Sequence, residues 1–159
     1  MSKAFTSEET DVTEVVAPRA PLPPGVANYV TPRGLQLLRD ERADLATRRA
    51  RAEADRDVAA MNVLGTRLAE LDERLASAQL APPVASKDVV RFGASVTVNG
   101  EGGGERTYRI VGVDEADPAR GDVAFTSPMA RALLGHEIGD EVVVRTPRGN
   151  ETLEILAIA

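Results

Sequence analysis

The sequence predicts an α+β protein in which an antiparallel helical hairpin precedes a small β-rich domain carrying one helix. Three observations predict it. Met61, Leu64, Leu68, Leu71, Leu75 and Ala78 follow alternating spacings of three and four, the seam of a coiled coil. Pro82 and Pro83 break the helical composition, and beyond them the hydrophobic period shortens to the alternation of strands. Pro128 and Gly135 bracket an otherwise helical stretch, which sets one short helix among those strands.

Residues 1–27 mix Glu8, Glu9, Asp11 and Glu14 with Pro18, Pro21, Pro23 and Pro24. Such a composition buries too little apolar surface to order itself, so a flexible tail is expected. Thr31 and Pro32 read as a helix start, a hydroxyl N-cap followed by proline at the first helical position. From Gly34 to Ala78 the chain is rich in Ala, Leu, Arg, Glu and Asp, all tolerated or favoured in helices. Leu35, Leu38, Leu45 and Ala52 make a weaker stripe, interrupted by Arg42 and Arg49. One unbroken helix would leave the seam bare unless two chains paired, whereas a fold-back covers it within one molecule. Matching Leu35 and Leu38 to Leu75 and Ala78 puts the turn at 53–57, although neither Gly nor Pro marks it. Asn62 and Gly65 offer another break, which would leave the second arm too short for the first. Arg42 and Arg49 fit an exposed stem, or side chains laid along the apolar surface with their charges outward.

The hairpin is thus expected over 28–82 and the β-rich domain over 86–159. Strands are expected at 89–92, 94–98, 106–113, 123–126, 141–145 and 152–158, with the helix at 128–134. The run Gly100-Glu101-Gly102-Gly103-Gly104 lacks the Lys-Ser/Thr ending of a phosphate loop and leads from strand to strand, so it reads as a hairpin connection.

Composition narrows the function. A net charge of −6 argues against holding nucleic acid through its phosphates and points to a protein partner. Zero cysteine excludes disulfides, thiolate zinc sites and cysteine nucleophiles, and fits a reducing compartment. The start of the chain lacks signal-peptide character and no apolar run reaches membrane-spanning length, so a cytoplasmic protein without membrane contact is expected. Aromatic residues at 3% argue against an aromatic-lined ligand pocket. His136, the one histidine, has no adjacent nucleophile or ligand set. The chain therefore reads as a monomer and not an enzyme, with no catalytic residue, no metal site and no cofactor.

Several longer stretches carry a resemblance. Asn28-Tyr29-Val30-Thr31-Pro32-Arg33-Gly34, Leu75-Ala76-Ser77-Ala78-Gln79-Leu80 and Arg91-Phe92-Gly93-Ala94-Ser95-Val96-Thr97-Val98 occur in that order. Tyr108-Arg109-Ile110-Val111-Gly112-Val113-Asp114-Glu115-Ala116-Asp117 follows, and then Ser127-Pro128-Met129-Ala130-Arg131-Ala132-Leu133-Leu134-Gly135. Together with the opening Met1-Ser2-Lys3-Ala4-Phe5-Thr6, these resemble the GreA/GreB family of bacterial transcript elongation factors, the GreB branch in particular at both ends. The resemblance implies a coiled coil that enters the secondary channel of RNA polymerase and an FKBP-like domain that docks at the channel entrance. It assigns docking to Ser127 and Pro128 with the helix start that includes Met129 and Arg131, and to Asp114, Glu115 and Asp117 in the acidic turn. Thr126 stands where GreB-like members often carry Asp before the serine.

The larger departure is at the hairpin tip. Cleavage-stimulating members carry a Gly-Asp-x-Ser-Glu-Asn type sequence there, whose carboxylates help hold a magnesium ion that activates water in the polymerase. No such sequence lies between Thr31 and Pro82, and relative to the family the arms are shorter by roughly nine residues each, about 13 Å of reach. The resemblance then implies a polymerase-binding regulator of elongation or initiation without cleavage stimulation. Two rivals stand beside it. Glu53, Asp55 and Asp57 at the tip could replace the missing carboxylates, although i and i+2 positions on a helix do not face each other. Alternatively the β-rich domain serves another protein, as in related short-coil proteins described as regulators of nucleoside diphosphate kinase.

Overall fold

The computed structural model describes residues 16–83 and 86–159. It divides into two compact units, one holding residues up to Val26 with Gln36–Ala78, the other Ala27–Leu35 with Gln79–Ala159.

The first unit is built on two helices, α1 (Pro32–Ala54) and α2 (Val58–Ser77). Leu38, Leu45 and Ala52 from α1 and Ala60, Leu64 and Leu71 from α2 are buried, so the stripes expected from spacing are the apolar faces. The two arginines that interrupt the α1 stripe turn outward. Arg42 Nε meets Asp72 Oδ1 at 2.5 Å, and the Arg49 guanidinium lies beside Gly65, where an added Cβ would sit 3.6 Å from Nε.

The turn falls at Asp55–Asp57. Arg56 adopts φ 56, the one non-glycine residue with positive φ among the described residues. Asp57 N donates to Ala52 O at 2.9 Å and Arg56 N to Glu53 O at 3.1 Å, the paired bonds of a Schellman C-terminus. Glycine usually fills that left-handed position; here arginine does, which is why no glycine marked the turn in the sequence. Asp57 then caps α2, its Oδ1 accepting from Ala60 N at 3.0 Å.

Residues 16–26 belong to the stretch expected as a flexible tail; residues 1–15 lie outside the described residues. The segment runs along the hairpin. Arg67 Nε donates to Val16 O at 3.1 Å, Arg74 donates to Ala20 O, and Arg19 holds Glu41 at 2.6 Å. Val16 and Arg74 are both buried. The prolines keep the strap extended, so its carbonyls are free to accept from side chains of the helix.

In the second unit, β1 (Asn28–Val30) pairs with β2 (Ala78–Leu80). Neither strand was expected. The sequence carried helix to Pro82-Pro83, whereas α2 ends at Ser77 and Ala78 is already extended. Pairing with β1 offers these backbone groups an alternative to the helix, with Ala81 N donating to Val30 O at 3.3 Å.

A five-stranded sheet has the order β5-β4-β3-β7-β6, from β3 (Ser95–Gly100), β4 (Glu105–Val111), β5 (Asp122–Ala124), β6 (Glu141–Thr146) and β7 (Gly149–Ile158). All its pairs are antiparallel except β4 with β5. Val96 and Val98, Val142 and Val144, and Leu153 and Ile155 alternate inward, the period-two burial of a sheet with one covered face. The short helix α3 (Pro128–Leu133) contributes buried Ala130 and Leu133 to that core. The strand expected at 89–92 is reduced to a bridge between Val89 and Glu137. Val90 instead trades backbone bonds with His136 and Gly135, at 2.8 and 2.9 Å.

Candidate functional site

The parallel pairing of β4 with β5 sets Val111 beside Ala124, so the loops that leave both strands emerge from the same end of the sheet. Asp114 follows three residues after Val111, and Ser127 three residues after Ala124. One sheet end therefore bears both loops that the sequence singled out. Ser127 is the N-cap of α3, its Oγ accepting from Ala130 N at 3.2 Å, with Pro128 at the first helical position. This fixes the loop, leaving Pro128 and Arg131 exposed while Met129 packs partly on the core. Asp117 Oδ1 caps a 3-10 turn at Pro118–Arg120 by accepting from Ala119 N at 3.2 Å, and Asp114 is half-buried.

Glu115, expected with Asp114 and Asp117 in the acidic turn, has a side chain only 1% exposed. Thr31 Oγ1 donates to Glu115 Oε2, and Arg109 and Arg33 approach Oε1 at 2.5 and 3.3 Å. A buried carboxylate needs such partners to offset its lost hydration. Arg33 also reaches Asp122 Oδ2 at 3.4 Å, and Asp122 is itself buried.

Sequence reasoning read Thr31 only as a helix cap and assigned no role to Arg33, Gly34 or Arg109. Gly34 N donates to Thr31 Oγ1 at 2.9 Å, so the same hydroxyl caps α1 and holds Glu115. A Cβ on Gly34 would lie 2.7 Å from Glu115 Oε2. Glycine inside the first turn of a helix costs about 1 kcal/mol relative to alanine, and that anomaly was the one available signal that something packs there.

Next to this cluster, Tyr29, Phe92 and Phe125 meet with ring centroids 5.6–6.0 Å apart, edge and tilted arrangements favoured between aromatic quadrupoles. Phe125 N donates to Val111 O at 2.9 Å. Gly112 lets β1 approach, since a Cβ there would stand 2.7 Å from Tyr29 O.

At the hairpin turn, Glu53, Asp55 and Asp57 are exposed, but they are not equivalent. Asp57 is bound to the α2 N-terminus as its cap. Glu53 lies in the last turn of α1, on an open groove with Arg42, Arg49 and Asp72. Asp55 lies in the turn itself, just past the end of α1. Among the described residues no group of three or more His, Cys, Asp or Glu side chains is placed to hold a metal ion.

These features define a class: a helical-hairpin protein whose β-rich domain offers a rigid Ser-Pro helix start and an acidic turn at one sheet end. Residues 85–159 match the model of the C-terminal region of the transcription elongation factors GreA and GreB. The GreB elongation factor of Neisseria meningitidis serogroup B (strain MC58) is 35% identical over 151 residues, covering 82% of this chain and 93% of that one. The Yersinia pestis GreB is 37% identical over 151 residues, 83% and 88% of the two chains. The GreA of Desulfovibrio desulfuricans is 51% identical over 75 residues, 46% of each chain. The chain belongs to the GreA/GreB family of transcription elongation factors.

Proposed function

We propose that this elongation factor binds RNA polymerase through the β4–β5 end of its sheet, inserts its hairpin into the secondary channel, and modulates transcription without stimulating transcript cleavage. Docking falls to Ser127, Pro128, Met129 and Arg131, with Asp114 and Asp117; Glu115 is left out because it faces inward. The reading has the chain act as a soluble monomer with no cofactor of its own.

The observation that carries the cleavage-silent part is the construction of the turn. A Schellman end followed directly by an N-cap closes the hairpin in three residues, Asp55–Asp57, and binds the Asp57 carboxylate to Ala60 N. What remains is Glu53 and Asp55, two positions apart, a poor geometry for sharing one cation. Length supports the same reading. The alignment with the Neisseria GreB spans 151 positions while using 82% of this chain's 159 residues, so about twenty aligned positions have no counterpart here. Were these positions to fall equally in the two arms, about 15 Å of helix would be missing from each, and positioned catalysis tolerates far smaller errors.

The test is a stalled, backtracked transcription complex. Added alone, the protein leaves the transcript intact; added with a cleavage-competent factor, it slows that factor's cleavage in proportion to occupancy. Substitution of Pro128 or Arg131 abolishes the competition. Robust transcript shortening by this protein that disappears in Asp55→Asn would overturn the proposal in favour of a rebuilt acidic tip. Recovery of a nucleoside diphosphate kinase, and no polymerase subunit, on the immobilised protein would overturn it in favour of another partner.

A further inference from the structure

We infer that the free edge of β6 is a self-association surface, on which a second copy of this chain adds its own β6 antiparallel, centred on Val143. β6 ends the sheet order, paired with β7 on one side and, among the described residues, with no strand on the other. Ile155 N donates to Asp140 O at 2.9 Å, which fixes the parity of the ladder: from Asp140 onward the even-numbered residues bond toward β7. Glu141, Val143 and Arg145 therefore turn their N–H and C=O groups to the open side. A row of such groups is a template for another strand, and natural sheets ordinarily blunt it with proline, a bulge or repelling charges. β6 contains no proline and pairs with β7 without a register shift.

The order of the side chains selects a second copy as the occupant. Glu141, Val143 and Arg145 stand exposed on one face, Val143 at 59%, while Val142 and Val144 face the core. A strand reversed about Val143 sets Val143 against Val143, Glu141 against Arg145 and Arg145 against Glu141. The contact is isologous, one patch complementary to itself. Two opposite-charge pairs flank an apolar one, and all three fall on residues whose backbone groups are open, so each pair exchanges two hydrogen bonds. A slip of one residue sets open backbone groups against closed ones, and a slip of two separates the charges. Within a single chain these charges are unmet. Glu141 stands opposite Glu154 on β7 and Arg145 opposite Asn150, and among the described residues neither has an ion-pair partner. A second copy's Arg145 beside Glu141 offsets the like-charge contact with Glu154. Three residue pairs fall far below the roughly 1,200 Å² of stable complexes, so the association is weak. It belongs to the free protein at high concentration and does not rest on the polymerase reading, in which a single copy acts.

Sedimentation equilibrium of the full chain, from about 10 µM to about 1 mM, should show the average mass rising from 16.9 kDa toward twice that value, with a midpoint on the order of 100 µM for so small a contact. Glu141→Arg and Arg145→Glu, both at exposed positions, each set like charges against each other twice in a symmetric pair, and each variant alone should associate about tenfold more weakly. Mixed in equal amounts, the two variants restore both opposite-charge pairs and should regain most of the parent's association, which no folding defect in either could allow. Amide exchange gives a second reading. The N–H groups of Val143 and Arg145 should exchange more slowly as concentration rises, while those of Val142 and Val144, already bonded to β7, should not change. A parent protein that keeps its single-chain mass throughout overturns the inference. So does undiminished pairing in both variants, since another surface then holds the copies together, and so does a mixture that fails to regain what the single variants lost. Growth past twice the chain mass overturns it as well, because an isologous contact closes at two.

Discussion

Gly112→Ala is a direct probe of how β1 meets the sheet. The added methyl would sit 2.7 Å from Tyr29 O and 3.6 Å from Val30 Cα. An ordinary carbon–oxygen contact is about 3.3 Å, so the β1 backbone must retreat by about 0.6 Å, and small-to-large changes of this kind cost about 1–3 kcal/mol. Stiffening the unfolded chain returns about 0.5–1 kcal/mol, leaving a net loss of about 1–2 kcal/mol. For a domain of this size each kcal/mol lowers the melting temperature by about 4–8 °C, so calorimetry should show a fall of about 5–15 °C. Because Tyr29 packs on Phe92 and Phe125, the ring resonances of all three should shift. Gly102→Ala, with open space around the new methyl, is the control and should leave both unchanged. A Gly112→Ala protein that melts at or above the parent temperature would refute the reasoning.

Leu71→Ala empties a position that is 0% exposed in the hairpin and should cost about 2–5 kcal/mol, read as early loss of helical circular dichroism while the sheet still melts near its usual temperature. Deleting residues 1–26 removes the strap whose carbonyls accept from Arg67 and Arg74; amide exchange in α2 between those arginines should accelerate at least tenfold, and unchanged exchange would return the segment to the status of a tail. The Asp140 carboxyl is held below its ordinary value, first by the Glu137 N–H donated to it and then by His136, against the opposing effect of desolvation. Its contribution is therefore present above the ordinary carboxylate range and lost as pH falls through the lowered folded value. Carbon-detected titration should find Asp140 ionising below the ordinary aspartate value, and Asp140→Asn should abolish that part of the acid sensitivity of the 135–140 turn.

The helices and most strands were legible because their signal is periodic: burial of Leu38, Leu45, Leu64 and Leu71, and of Val96, Val98, Val142 and Val144, follows the spacing of apolar residues. The Ser127–Pro128 helix start was legible because capping is local chemistry. Legibility stopped where structure depends on partners far along the chain. β1 and β2 are separated by the whole hairpin, and short segments without alternation give no sign that they will pair. Residues 16–26 look disordered by composition, yet two arginines more than fifty residues away donate to their backbone carbonyls.

The sequence by itself determined the two-part architecture, the family and the absence of the usual acidic tip, since each is written in local spacing or in contiguous motifs. Only the tertiary structure decided which carboxylates face outward. Asp114, Glu115 and Asp117 are alike as sequence, and the difference arises because Thr31, Arg33 and Arg109 surround Glu115 alone. A buried charge is stabilised by partners gathered from distant positions, and no local pattern records where those partners will meet.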